Sequence, residues 1–197
     1  MDVGYRIALA IVAVAHGVFS RRYVRGARAG ATLFKERAEG RGLAAATGAA
    51  YAAYCFTVLA FMINPAWMGW SALPIPPWLR WVGAPVMAAG AALHIWGMHH
   101  LGKNLTISIS TRAGHALVTS GPFRWIRHPL YSGGMLESVG VCLLLANGAV
   151  SACALAFWLL IAWRTPLEEA ILEDAFGERY RQYRGYTGRF LPRVTRG

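Results

Sequence analysis

Apolar positions along the chain gather into four long blocks, 3–19, 43–63, 81–101 and 130–163, separated by basic or Pro/Trp-rich segments. The last block would run ~51 Å as one helix at 1.5 Å per residue, against a hydrocarbon core of ~30 Å. It is interrupted by Asn147-Gly148, and Asn and Gly are turn residues. The pattern therefore predicts a helical hairpin there, and five crossings in all.

Charge placement agrees with that count. Segment 21–41 carries seven Lys/Arg, whereas 64–80 carries Arg80 alone and is rich in Pro and Trp. Basic loops stay on the cytoplasmic side and tryptophans anchor at the interface. Trp67, Trp70, Trp78 and Trp81 are the expected anchors. Segment 102–129 is basic again, and so is the tail from Arg164, with Arg179, Arg181, Arg184, Arg189, Arg193 and Arg196. Five crossings put the N-terminus outside and every basic segment in the cytoplasm. The expected fold is an all-α integral membrane protein with five transmembrane helices, the last two a hairpin, and a cytoplasmic C-terminal helix. Residues 1–80 then form an N-terminal part of two transmembrane helices with linkers, and residues 81–197 the core.

Composition sharpens this picture. Apolar residues make up 56% of the 197 and charged residues 15%, well under the ~25% of average globular chains. The net charge of +11 would suggest nucleic acid in a soluble protein. Here the arginines lie between apolar blocks, so membrane orientation explains them and no nucleic-acid partner is expected. Arg21 and Arg22 directly follow the first block, which suits a retained anchor rather than a cleaved signal. Cys55, Cys142 and Cys153 lie in apolar blocks without ligand spacing and read as small buried residues. Abundant Ala, Gly and Ser suit close helix packing in membranes. The bias toward Ala, Gly and Arg points to a GC-rich bacterial genome, hence a bacterial cytoplasmic membrane.

The chemistry-bearing residues cluster in two polar segments that flank the hairpin, 99–131 and 164–194. A hairpin returns its two ends to the same surface, so these segments meet. That brings together His115, Arg124, Arg127, His128, Tyr131, Glu168, Glu169 and Arg189. Thr165-Pro166 with Glu168 has the look of a capped helix start, so Glu168 and Glu169 have two readings, capping or ligand binding. Proline disfavours helix in the residue before it. Gly121-Pro122 and His128-Pro129 therefore keep the approach to the fourth span irregular until Pro129 starts the helix. Arg124 and Arg112 can also serve lipid phosphates. Glu137 lies inside the fourth span, where an ionisable group is costly; it reads equally as a base lining the cavity below Tyr131 and as a structural partner. Asn104 is either a cap or a cleft residue. His94, His99 and His100 end the third span. With no acidic or Cys ligand near them in sequence, they read as interface histidines and no metal is expected.

The stretches "SGPFRWIRHPLYSG" and "EEAILEDAFGERYRQY" resemble the membrane methyltransferases of the isoprenylcysteine carboxyl methyltransferase family and, more distantly, phospholipid N-methyltransferases. The first matches G-P-Y/F-R-x-x-R-H-P-x-Y-x-G at Gly121, Pro122, Phe123, Arg124, Arg127, His128, Pro129, Tyr131 and Gly133. The second matches E-E-x-x-L-x-x-x-F-G-x-x-Y-x-x-Y at Glu168, Glu169, Leu172, Phe176, Gly177, Tyr180 and Tyr183. The resemblance covers roughly residues 90–193. It implies S-adenosylmethionine as methyl donor, a lipidic or hydrophobic acceptor reached from the bilayer, and a site at the cytoplasmic face. Carboxyl O-methylation comes first by resemblance; lipid-amine N-methylation and a non-enzymatic relative are the alternatives.

By the same resemblance the cofactor falls to His115, Leu117, Val118, Gly121, Pro122, His128, Tyr131, Glu168 and Glu169. Carboxylates suit its ammonium, and backbone groups of 115–121, a strand-like stretch, suit an adenine edge. Arg127, Arg189 and Glu137 are the candidates for work on the acceptor. Where the family carries R-V-P-R-F-x-P, this chain has Tyr186 for the first arginine, Gly188 for the proline, and Arg189. Either Arg189 takes an acceptor carboxylate or the acceptor has none.

Overall fold

The computed structural model describes residues 2–29, 41–102 and 116–193. Among these, six α-helices follow one another: α1 (Asp2–Ala29), α2 (Arg41–Ile63), α3 (Pro77–Leu101), α4 (Pro129–Leu145), α5 (Gly148–Phe176) and α6 (Glu178–Tyr186). No strand forms among the described residues, and the stretch 116–119, expected to be strand-like, has no regular structure. Four helices are long and apolar enough to cross a membrane: α1 over Val3–Arg21, α2 over Gly42–Ile63, α3 and α5. The expected fifth span, α4, has 17 residues, or ~26 Å of helix. That is short of a ~30 Å core, so among the described residues α4 is apolar but shorter than the four long helices.

Small residues decide how α3 meets α4. A Cβ on Gly90 would lie 2.5 Å from the Glu137 backbone nitrogen and 2.6 Å from the Gly133 carbonyl oxygen. One on Gly140 would lie 2.6 Å from the Gly83 carbonyl oxygen. Backbone therefore runs against backbone along the whole contact, the arrangement small residues permit between membrane helices. Helix α2 packs on α5, with Tyr51 and Phe157 rings 5.3 Å apart. Helix α1 lies against α3, with Tyr5 on Trp81. Trp67, Trp70, Trp78 and Trp81 are all exposed, as interface anchors must be.

The hairpin forms where expected, but its left-handed residue is Ala146 (φ 48°, ψ 50°) rather than Gly148. Tertiary contacts hold that conformation. Ala146 accepts a hydrogen bond from the Leu73 amide at 2.7 Å. Asn147, 0% exposed, caps α5 by accepting from the Val150 amide and donates to the Met68 carbonyl at 2.9 Å. Arg80 donates to the Leu144 carbonyl at 2.9 and 3.1 Å, a cation at the end of α4 where the helix dipole favours one.

One expectation about α5 is corrected. The helix does not restart at Thr165-Pro166 but runs unbroken from Gly148 to Phe176 through Pro166. Thr165 is not a cap: fully buried, it turns its hydroxyl back to the Ile161 carbonyl at 2.7 Å. Burial of Thr165 offsets the one backbone bond that Pro166 removes. The 29 residues of α5 make ~44 Å of helix, so about 14 Å extends beyond a ~30 Å core. Glu168, Glu169, Glu173 and Asp174 all lie in its C-terminal third.

Candidate active site at the open end of the hairpin

The approach to α4 is built from its prolines and one glycine. Gly121 has φ +59°, a conformation only glycine adopts without strain. A Cβ there would overlap the His100 ring, and His100 Nδ1 lies 3.0 Å from Ser120 Oγ. Pro122 is fully buried and starts a short 3-10 helix, Gly121–Arg124. Gly121 and Pro122 thus shape the loop by packing. Leu117 and Val118 are half-buried beside it. His115, Asn104 and Arg112 lie outside the described residues.

The tail crosses this loop as a strap. Arg127 and His128 amides donate to the Gly188 and Arg189 carbonyls at 2.8 and 3.0 Å, and the Gly188 amide donates to the Trp125 carbonyl at 3.0 Å. Ser132 Oγ donates to the Phe190 carbonyl at 2.6 Å, and Tyr183 Oη to the Phe123 carbonyl at 2.8 Å. No motif signalled this pairing. Gly188, which departs from the family's proline, has the amide that makes the Trp125 bond.

Glu169 is the hub beneath the strap. Its carboxylate, 5% exposed, accepts from Arg127 Nε at 2.9 Å and Arg189 Nη2 at 2.6 Å, with His128 Nε2 at 3.3 Å. Arg127 also donates to the Thr187 carbonyl. Glu168 points elsewhere and accepts from Tyr131 Oη at 2.8 Å. The Tyr131 ring stacks on His128, 5.4 Å apart and 5° from parallel. The structure therefore brings together Arg127, His128, Tyr131, Glu168, Glu169 and Arg189. The two neighbouring carboxylates differ: Glu169 is enclosed by cations, Glu168 is half-buried with a phenol for a partner. Arg124 is outside this cluster, exposed and 5.4 Å from the Trp125 ring. In α6, burial pushes the Tyr180 and Tyr183 phenols above their ordinary value, with the negative charge of Glu169 adding to the effect on Tyr180.

Glu137 has other neighbours. It sits six residues past Tyr131, so ~120° around α4 at 100° per residue, and its Oε1 lies 2.8 Å from His16 Nδ1 of α1. His94 of α3 is the third member of that group. No acidic group lies near the histidines in sequence. Folding supplies one, because α1 and α4 both cross α3 at His94. His99 instead meets Tyr23 Oη at 3.1 Å.

Comparison with known proteins bears on the same region. Residues 82–174 match the family model described as "Isoprenylcysteine carboxyl methyltransferase (ICMT) family". Curated relatives include a protein-S-isoprenylcysteine O-methyltransferase of Tribolium castaneum, 31% identical over 58% of this chain and 42% of its own. The Arabidopsis thaliana enzyme B is 36% identical over 54% and 55%, and the Homo sapiens enzyme 32% identical over 62% and 44%. The chain spans about half the length of these relatives. A solved structure, "Structure of the eukaryotic intramembrane Ras methyltransferase ICMT (isoprenylcysteine carboxyl methyltransferase) without a monobody", superposes with TM-score 0.54 at 26% identity. The match covers 76% of this chain and 51% of that one. Family, relatives and fold agree on an integral membrane protein. Through the segment 82–174, which holds the first motif arm and the start of the second, the chain is similar to the isoprenylcysteine carboxyl methyltransferase family.

Proposed function

We propose that this chain is a membrane-embedded methyltransferase that uses S-adenosylmethionine to methylate a lipidic acceptor, by carboxyl O-methylation of the isoprenylcysteine type. The observation that carries this reading is the meeting of the two motif arms across one hairpin, Tyr131 on Glu168 and Arg127 with His128 on Glu169. The curated relatives are named for that reaction.

The donor set fits the cofactor. An ammonium needs an acceptor, and Glu168 offers a carboxylate engaged by one phenol. A carboxylate needs donors, and the His128 ring stacks on Tyr131, whose one hydroxyl proton, held by Glu168 here, would turn to the carboxylate once the ammonium takes Glu168. When bound, S-adenosylmethionine supplies a methyl group on a positively charged sulfur. Glu169 works one step back. It fixes the Arg127 and His128 side chains and so the strap, which makes it a positioning residue. Leu117, Val118 and His115 would line the adenine side, with Gly121 and Pro122 setting the loop's course. Arg189, 41% exposed, is the cation of the hub that remains open to solvent. It is the candidate for an acceptor carboxylate, next to the exposed Tyr186. Holding acceptor and donor in line is most of what such a site contributes.

The same reading makes α4 a fifth, short crossing, with the N-terminus outside and the hairpin's open end in the cytoplasm, as the basic segments require. Residues 81–197 are then the catalytic core and 1–80 its membrane support, in a bacterial cytoplasmic membrane. The test is twofold. Detergent-purified protein should bind S-adenosylhomocysteine, and Tyr131→Phe and Glu168→Gln should each weaken binding. Labelled methyl transfer to a prenylcysteine should give a base-labile product. Base-stable label on a lipid amine would replace carboxyl methylation by N-methylation, and no binding by the wild type would overturn the enzyme reading.

A further inference from the structure

We propose that His16, His94 and Glu137 form a binding site for a divalent transition-metal ion of the zinc type, inside the membrane bundle where α1, α3 and α4 meet. The site is separate from the Glu169 hub and does not rest on the methyltransferase reading.

The argument begins with three side chains the bilayer should not tolerate uncompensated. Ionisable groups within membrane spans are rare and mark function by default. Here one from each of three helices points at a common space. One ligand atom from each lies within 4.8 Å of the other two. The His16 and His94 rings are 5.0 Å apart and tilted by 57°, so they do not simply stack.

Hydrogen bonding does not account for the cluster. His16 Nε2, His94 Nδ1 and Glu137 Oε1 are buried and have no hydrogen-bond partner among the described residues. Glu137 Oε1 is 2.8 Å from His16 Nδ1, yet the geometry is not that of a hydrogen bond. A plain His16–Glu137 ion pair would also leave His94 Nδ1 facing it with nothing to bind. A single cation accepts lone pairs from all three groups at once, and needs no donor hydrogen from any of them.

Donor chemistry chooses the ion. Two imidazoles and one carboxylate are the ligand set of zinc sites that keep a fourth position open. Calcium and magnesium prefer all-oxygen shells. Imidazole and carboxylate together suit zinc, cobalt or nickel. With two neutral imidazoles and one carboxylate, a divalent ion leaves one positive charge, which an anionic fourth ligand such as hydroxide cancels. The backbone geometry supports a fixed site: Gly90 and Gly133 bring α3 and α4 so close that Glu137 and His94 cannot separate without parting the helices. The ion would pin α1, which carries no family motif, to the α3–α4 pair.

Cobalt(II) is the probe, because its visible absorption reports both binding and ligand type. The full chain in detergent should bind about one Co(II) with the intense bands of four-coordinate cobalt, a count that follows from one three-ligand site per chain. His94→Ala and Glu137→Gln should each abolish those bands while elution volume and helical content match the wild type. His16→Cys should keep binding and add a thiolate-to-metal charge-transfer band, a change that no merely structural role would produce. Added zinc should bleach the cobalt spectrum. Absence of visible bands in well-folded wild type would overturn the proposal. So would undiminished bands in His94→Ala and Glu137→Gln, or a His16→Cys spectrum without the thiolate band.

Discussion

Replacing Glu169 by Gln tests the hub most directly. The wild-type carboxylate takes Arg127 and His128 on one oxygen and Arg189 on the other. A carboxamide keeps one acceptor oxygen and turns an NH2 donor toward a guanidinium. Arg127, 9% exposed, is then a nearly buried cation whose remaining contacts are the backbone carbonyls of Thr187 and Arg184 and the Thr187 hydroxyl. Breaking a buried pair by removing one partner costs about 3–5 kcal/mol. The low end applies because Gln retains a carbonyl. Arg189 is 41% exposed, so solvent screening limits its share to about 0.2–1 kcal/mol. A cost of ~3 kcal/mol shifts strap docking about a hundredfold, at 1.4 kcal/mol per tenfold. Hydrogen exchange at the Arg127, His128 and Gly188 amides reads this equilibrium, since their acceptors lie across the strap. Exchange there should quicken about a hundredfold in Glu169→Gln, if strap opening limits it, and S-adenosylhomocysteine affinity should fall in step, as expected when binding needs the docked state. Arg189→Ala should change both by less than about fivefold. Unchanged protection in Glu169→Gln, or an equal effect of Arg189→Ala, would refute the assignment of the hub to Arg127.

Further outcomes follow from packing and burial. Gly90→Val should lower thermal stability in detergent by about 1–3 kcal/mol through overpacking against α4, whereas Gly17→Ala, with nothing near its Cβ, should be neutral or slightly stabilising. Asn147→Ala should cost about 1–3 kcal/mol by stranding the Val150 amide and leaving the Met68 carbonyl with the Ser71 hydroxyl alone, and Asn147→Asp should recover the cap but not the Met68 bond. The Tyr180 and Tyr183 phenols are raised by burial. An unfolded phenol loses its proton near pH ~10, before the folded ones do. Their stabilisation is therefore complete below that pH and is lost as pH rises through the folded values. Alkaline melts should show the decline. Tyr180→Phe, which removes a buried hydroxyl with no partner among the described residues, should lessen it without loss at neutral pH. Tyr183→Phe should instead cost about 1 kcal/mol at neutral pH for the Phe123 bond.

Much of the architecture was legible because it is local. Apolar block length against membrane thickness predicts the spans, Asn147 marks the hairpin, and Gly121-Pro122 and Pro129 mark the loop and helix start. The physical cause sits in the residue itself: a fixed φ, a missing Cβ, a run of side chains that water rejects. The two motif arms are likewise readable, and a hairpin returns them to one surface, where Tyr131 meets Glu168 and Arg127 meets Glu169. Where local signals competed with packing, they lost. Thr165-Pro166 has every mark of a helix start, yet α5 passes through it with Thr165 fully buried and its hydroxyl turned back to the Ile161 carbonyl. Ala146 takes the left-handed turn next to an available glycine, because the Leu73 amide and the Asn147 contacts demand it.

By itself the sequence determined that this is a helical membrane chain, where its long apolar helices lie, and which residues make up the two motif arms. Tertiary structure alone decided the partners. Adjacent carboxylates Glu168 and Glu169 are indistinguishable in sequence. They diverge because a helix turns ~100° per residue, sending Glu169 into the cations of the strap and Glu168 toward Tyr131. Glu137 and Tyr131 part for the same reason, and Glu137 finds His16 and His94 from helices far away in the chain. Side-chain direction and helix crossing fix such meetings, and neither is written in any one segment.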